Sequence, residues 1–232
     1  MKANRLVLLA VGGASMLALS GCAQSGNVAA RVGDTTVPTS DVDLLTTVQC
    51  QSLDKAAKDP SQGSQVQPVA RATLRTIMVN ALVDAEVNRQ VATREHLTYD
   101  KTQLASAVKQ YESTASSAPE GDRDRYRDLI ETILRGQLQA IGQIQDQFTG
   151  QQPTNDQVQK AISDFEAKMR AKVHIDVNPQ YGPDKDGVAG SADPSLSLAV
   201  SSFAKHSRDA MSATAQTDST WVNDLPADQR CG

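Results

Sequence analysis

Apolar residues recur at three- and four-residue spacing over most of this chain, and that period predicts a protein built mainly of α-helices. A first helix is predicted from Asp41 to about Lys58, with Ser40 as its cap and Asp43 as the acidic partner of a capping box. The best pattern in the first half runs from Val66 to about His96. There Leu74, Ile77, Met78, Ala81, Leu82, Ala85 and Ala92 fall mostly on one side, with Arg75, Asn80, Glu86 and Gln90 elsewhere. A weaker helix covers Thr98 to Ser116, with Leu104, Val108 and Tyr111 on one face. After a turn at Ala118 to Asp122, Arg123 to Gln147 carries the stripe Ile130, Ile133, Leu134, Leu138, Ile141 and Ile144, prolonged by Phe148. Pro153-Thr154 opens a further helix with Val158, Ile162, Phe165 and Met169 at helical spacing.

Two places break this period. Val28–Val32 and Thr35–Val37 flank Gly33-Asp34, which reads as a short β-hairpin stopped by Pro38. Near the end, Val173, Ile175 and Val177 alternate with His174 and Asp176, a strand pattern closed by the turn Asn178 to Gly182. Beyond that, Gly, Ser, Ala and Asp dominate, and apart from Leu196, Leu198, Val200 and Phe203 there is little to bury. A largely irregular C-terminal tail is therefore predicted over 179–232.

The N-terminus is of another kind. Lys2 and Arg5 precede an apolar run, Leu6 to Leu19, too short for a spanning helix of roughly 20 residues and typical of a secretory signal. Leu19-Ser20-Gly21-Cys22 closes it and resembles the lipobox of bacterial lipoproteins. That resemblance implies cleavage after residue 21, acylation of Cys22 and attachment to a membrane through at least two acyl chains. An ordinary signal peptide with an incidental cysteine is the alternative. Two cysteines remain, Cys50 and Cys231, and in an exported chain they are disulfide candidates. Free thiols, or intermolecular pairing through Cys231, are the other possibilities.

Charge and composition then narrow the function. The chain has a formal net charge of −4, and loss of Lys2 and Arg5 with the signal would make it more acidic. That disfavours nucleic acid as a partner, since phosphate binding needs a basic surface. Aromatic residues make up only 3% of the chain, which disfavours a sugar-type aromatic pocket. His96, His174 and His206 are far apart and none has zinc-site spacing, so no metal is expected. Asp184-Lys185-Asp186-Gly187 starts like a calcium loop, but its glycine is misplaced and Ser195 stands where glutamate is needed. No nucleophile elbow, phosphate loop or dinucleotide fingerprint occurs. The pairs Asp41/Asp43 and Asp122/Asp124 sit where helix N-termini favour negative charge. No catalytic residue and no cofactor are expected, and the chain does not read as an enzyme.

The order of these elements carries a family resemblance. The hairpin Val28-Ala-Ala-Arg-Val-Gly-Asp-Thr-Thr-Val37, then Thr39-Ser-Asp-Val-Asp43 opening a helix, then several long helices, resembles the N-terminal chaperone domain of SurA and of the foldase lipoprotein PrsA. In that family a parvulin-type prolyl isomerase domain follows. Here the fifty residues after Val177-Asn-Pro-Gln-Tyr-Gly182 are too few and too polar for one. The chain thus resembles the isomerase-free, SurA-N-like lipoproteins of Actinobacteria. The resemblance implies a division into signal peptide (1–21), lipid tether (22–27), SurA-N-like helical domain (28–178) and C-terminal tail (179–232). It also implies a chaperone-like protein on the extracytoplasmic face of the cell membrane.

On that reading the partners are the lipid membrane and unfolded exported polypeptides. The candidate client-binding residues are Leu74, Ile77, Met78, Leu134, Leu138 and Ile141, on the two strongest helical stripes. The competing reading is a structural or adaptor lipoprotein that recognises one envelope protein, with the lone Trp221 either anchoring that interface or folding back beside the cysteines.

Overall fold

Val28–Val32 forms strand β1, and Thr35–Pro38 forms β2, paired antiparallel as the hairpin pattern predicts. Ile175–Val177, numbered β4 in chain order, lies antiparallel on the other side of β1, so the sheet order is β2-β1-β4. This brings the two period-two segments of the sequence together with β1 in the middle. The computed structural model describes residues 26–61, 66–150, 152–182, 184–190, 202, 205 and 220–232. The signal peptide and Cys22 lie outside the described residues.

Helices supply the rest. They are α1 (Thr39–Lys58), α2 (Arg71–Glu95), α3 (Lys101–Gln110), α4 (Glu112–Ala115), α5 (Arg123–Gln147) and α6 (Asn155–Arg170). The chain is mainly helical, with the expected early strand pair and late strands. Local chemistry sets several boundaries. Asp100 caps α3 by accepting from the Thr102 and Gln103 backbone N–H groups. Thr154 and Gln157 form a reciprocal capping box on α6. His96, in the left-handed region at φ 55°, ends α2.

The start of α1 differs from expectation. Pro38 occupies the cap position and makes no side-chain cap, so there is no Ser40–Asp43 box. The entry is held instead by Thr39, whose N–H donates to the Asn27 carbonyl (2.9 Å) and whose hydroxyl donates to that of Gly26 (3.1 Å). The acidic pair is used between helices. Buried Asp41 accepts from Arg125 Nε of α5 at 2.6 Å, and Asp43 pairs with Arg75 of α2 at 2.9 Å.

The centre of the molecule is α2, packed by α1, α5, α6 and β1. Its buried set includes Val79, Val83, Val87 and Val91, a four-residue ladder on the side away from the expected stripe. A helix enclosed on several sides has no single apolar face, so the expected stripe found Leu74, Leu82, Ala85 and Ala92, which are buried, but missed the valine ladder and included Ile77, which is exposed. Against its other side, α5 comes unusually close. A Cβ on Gly136 would lie 3.2 Å from Ala85 Cα, so small residues on both helices permit the crossing. Tyr126, Ile144, Phe165 and Met169 complete the core with Val32, Val42, Leu45 and Val48.

The described parts of the tail are more ordered than its composition suggests. After Tyr181 the chain makes a second hairpin, β5 (Asp184–Lys185) and β6 (Val188–Ala189), turned by Asp186 and Gly187 at φ 54° and 75°. Two positive φ values in a two-residue loop are what an Asp-Gly turn favours. Asn80 of α2 clamps β6, donating to the Ala189 carbonyl and accepting from its N–H. Arg170 donates to the Gly187 carbonyl at 2.6 Å and pairs with Asp84 at 2.5 Å. The packed unit therefore extends beyond residue 178 to at least Ala189.

Thr220–Asn223 then forms a short helix, α7, and Arg230–Cys231 forms β7, which pairs with β3 (Val69–Ala70) just before α2. The segment 220–232 is docked, not irregular. Leu196, Leu198 and Val200 lie outside the described residues, as does Phe203.

Candidate binding surfaces

Cys50, on the buried side of α1, meets Cys231 in a disulfide with an S–S distance of 1.99 Å. The bridge is shielded by Leu74, with Leu53, Val69 and Met78 packed around it. Next to it, Trp221, Val222 and Leu225 bury themselves against Ala70. Trp221 thus folds back beside the bridge and is not presented on a free tail.

This arrangement sorts the six candidate client-binding residues. Leu74 is 5% exposed and serves the disulfide cluster, so it is not available to a client. Met78 is half-buried between that cluster and the main core. Ile77 is 49% exposed and Ile141 41%, the two large aliphatic residues that stand exposed among the described ones. Leu134 and Leu138 are half-buried and belong to none of the buried clusters. Leu134, Leu138 and Ile141 follow one another at spacings of four and three, so they share one side of α5. Three of the six therefore form a continuous apolar strip that the core does not use.

A groove lies near the same helix. Tyr99, Leu104, Ala105 and Val108 line a depression of about 470 Å³ between α3 and α5, with Glu131 on the α5 side. Arg135 pairs with Glu131 and lies 5.8 Å from the centre of the Tyr99 ring. Glu131 stands one turn ahead of Leu134, so the apolar strip begins one turn further along α5 than the groove, and none of its three residues lines it. Lys101, Lys109 and Glu112 supply a mixed-charge rim, and exposed Tyr111 stands at the junction of α3 and α4. An apolar floor with a charged edge can hold an apolar polypeptide segment without reading its sequence.

A second recess lies on the stapled side, between α1, the start of α2 and segment 220–232. It is an open recess of about 710 Å³, lined by Arg71, Arg75, Asp43, Trp221, Leu225 and Asp228, among others. Sequence reasoning missed it because it exists only once the C-terminus is docked. The distant cysteine pair was the one available signal.

Perturbed acids fall elsewhere. Burial raises the Asp84 carboxyl to about 6, with Arg170 pulling against the rise and Glu166 adding to it. Burial likewise raises the Tyr126 hydroxyl to about 12. Burial also raises Glu86, but hydrogen bonds from Arg89, Gln90 and Thr35 outweigh it and hold the carboxyl below its ordinary value. None of these groups lines either recess. Of the three histidines, His96 ends α2 and the His174 carbonyl accepts from the Gly33 N–H, while His206 lies outside the described residues.

Among the described residues no helix is long and apolar enough to cross a membrane. The chain matches no protein-family model, no curated protein and no solved structure.

Proposed function

We propose that this protein is a membrane-anchored lipoprotein with a chaperone-like, ATP-independent holding domain that lacks prolyl isomerase activity. The observation that carries the reading is the apolar strip Leu134, Leu138 and Ile141 on α5, left outside the core beside the α3–α5 groove. A helix that needed only to pack would place polar residues there. The lipobox-like Leu19–Cys22 and the hairpin-then-helix order that resembles SurA-type chaperones support the same reading. On it, acylated Cys22 holds the domain at the extracytoplasmic face, where exported chains emerge unfolded.

One observation favours an adaptor role instead. Residues 220–232 are docked and stapled, and Leu74 is committed to the interior, so the cradle is smaller than two free helical stripes would give. Site-specific photocrosslinking separates the two readings. A photoreactive residue at position 141 should capture several unrelated unfolded clients, and one at Lys160, exposed on α6, should capture few. Equal capture at both positions would sink the holding site. Capture of one folded envelope protein alone would establish the adaptor reading.

A further inference from the structure

The recess on the stapled side has the chemistry of a small-ligand site, whether or not the α5 strip holds clients. Its volume of about 710 Å³ lies within the roughly 300–1,000 Å³ usual for ligand pockets. One wall is apolar, from Trp221 and Leu225, which pack with Ala70 and Val222 and leave only their edges, 8% and 9% of each residue, at the recess. The other carries two arginines one helical turn apart, Arg71 and Arg75, at the start of α2.

The two arginines differ. Arg75 is occupied: Asp43 pairs with it at 2.9 Å, and its guanidinium lies 5.3 Å from the centre of the Tyr181 ring. Arg71 makes no ion pair among the described residues; its Nη2 donates to the Thr47 hydroxyl at 3.1 Å. A guanidinium has five N–H donors in a planar fork that matches a carboxylate. Arg71 therefore keeps most of its donors and its full charge for an incoming anion. No acidic residue stands in the first turn of α2, and its cap residue Ala70 offers no side-chain acceptor, so nothing within that turn competes for Arg71.

The lining also limits the charge of the ligand. Asp43 and Asp228 bring two carboxylates to the same recess. With Asp43 committed to Arg75, Arg71 and Asp228 are the remaining opposite charges, so a doubly charged anion such as phosphate meets more repulsion there than a singly charged one that pairs with Arg71. We propose that this recess binds an organic monocarboxylate with an apolar body, the carboxylate on Arg71 and the apolar part against Trp221 and Leu225.

Trp221 is the only tryptophan in the chain, so its fluorescence reports this wall specifically. The full-length protein would be titrated with N-acetyl-leucine, with uncharged N-acetyl-leucinamide and with inorganic phosphate, following fluorescence and heat together. The expected result is saturable binding of N-acetyl-leucine at least about tenfold tighter than of either control, the scale of one charge-assisted hydrogen bond. Arg71→Gln should weaken it by a similar factor, and Arg71→Lys should restore part of it, with helicity and the disulfide unchanged in both. Equal binding of the amide, equal binding of phosphate, no effect of Arg71→Gln, or no saturable signal by either readout would each overturn the proposal.

Discussion

Cys50 in α1 and Cys231 in β7 are bonded across 181 positions of sequence, with their Cα atoms 4.9 Å apart. The bridge joins the first helix to the penultimate residue and sets β7 against β3, directly ahead of α2. It therefore holds in place the segment that carries Trp221, and with it one wall of the second recess.

Removing the bridge should cost much of the stability that a crosslink of this span confers, about 5 kcal/mol by loop entropy. Cys50→Ser with Cys231→Ser should lower the urea midpoint. It should also shift Trp221 emission to the red, because Trp221, Val222 and Leu225 have only Ala70 as a buried apolar partner in their cluster. Unchanged emission in the double variant would show that the segment docks without the staple.

Gly187→Ala should destabilise the second hairpin by about 1–3 kcal/mol, the scale of a left-handed backbone forced on a residue with a Cβ. The added carbon would also lie 2.7 Å from Ile175 Cβ in β4. Thermal unfolding checks this, and a variant with wild-type stability would mean that the hairpin contributes nothing to the packed unit.

The hairpin also shows how far the sequence could be read. Asp186-Gly187 is a hairpin signal, but the polar composition around it favoured an irregular tail, and the strands it joins are only two residues long. They persist because Asn80 and Arg170 supply hydrogen bonds from distant helices. The same limit explains α2. Its valine ladder was visible as residues yet not as a face, since only the packed structure surrounds a helix on several sides. By contrast, α5 was legible to within its boundaries, because Ile130, Ile133 and Ile144 meet the core from one side; that Leu134, Leu138 and Ile141 stay outside it and that Gln139 is buried was not legible. The cysteine pair was legible as a possibility, and the recess behind it was not.

Stability should depend on pH through Asp84. Its folded-state value of about 6 is above its ordinary 3.8, so between the two the folded chain keeps a proton that the unfolded chain has lost. Stability from this group is present below about 3.8 and declines as pH rises to about 6. The unfolding free energy of wild type relative to Asp84→Asn should therefore fall by no more than about 3 kcal/mol between pH 4 and 6.5, then level off. A flat difference between the two proteins would show that Arg170 keeps Asp84 ionised throughout.

The central claim, that the α5 strip holds unfolded polypeptides, is tested most directly by light scattering from a chemically unfolded client in the presence of the purified protein. Stoichiometric suppression of aggregation is expected. It should be lost in Ile141→Asp with Leu138→Asp, provided helicity is unchanged, and kept in Lys160→Asp on α6. No suppression at several-fold excess, or suppression that survives the α5 substitutions, would contradict the account.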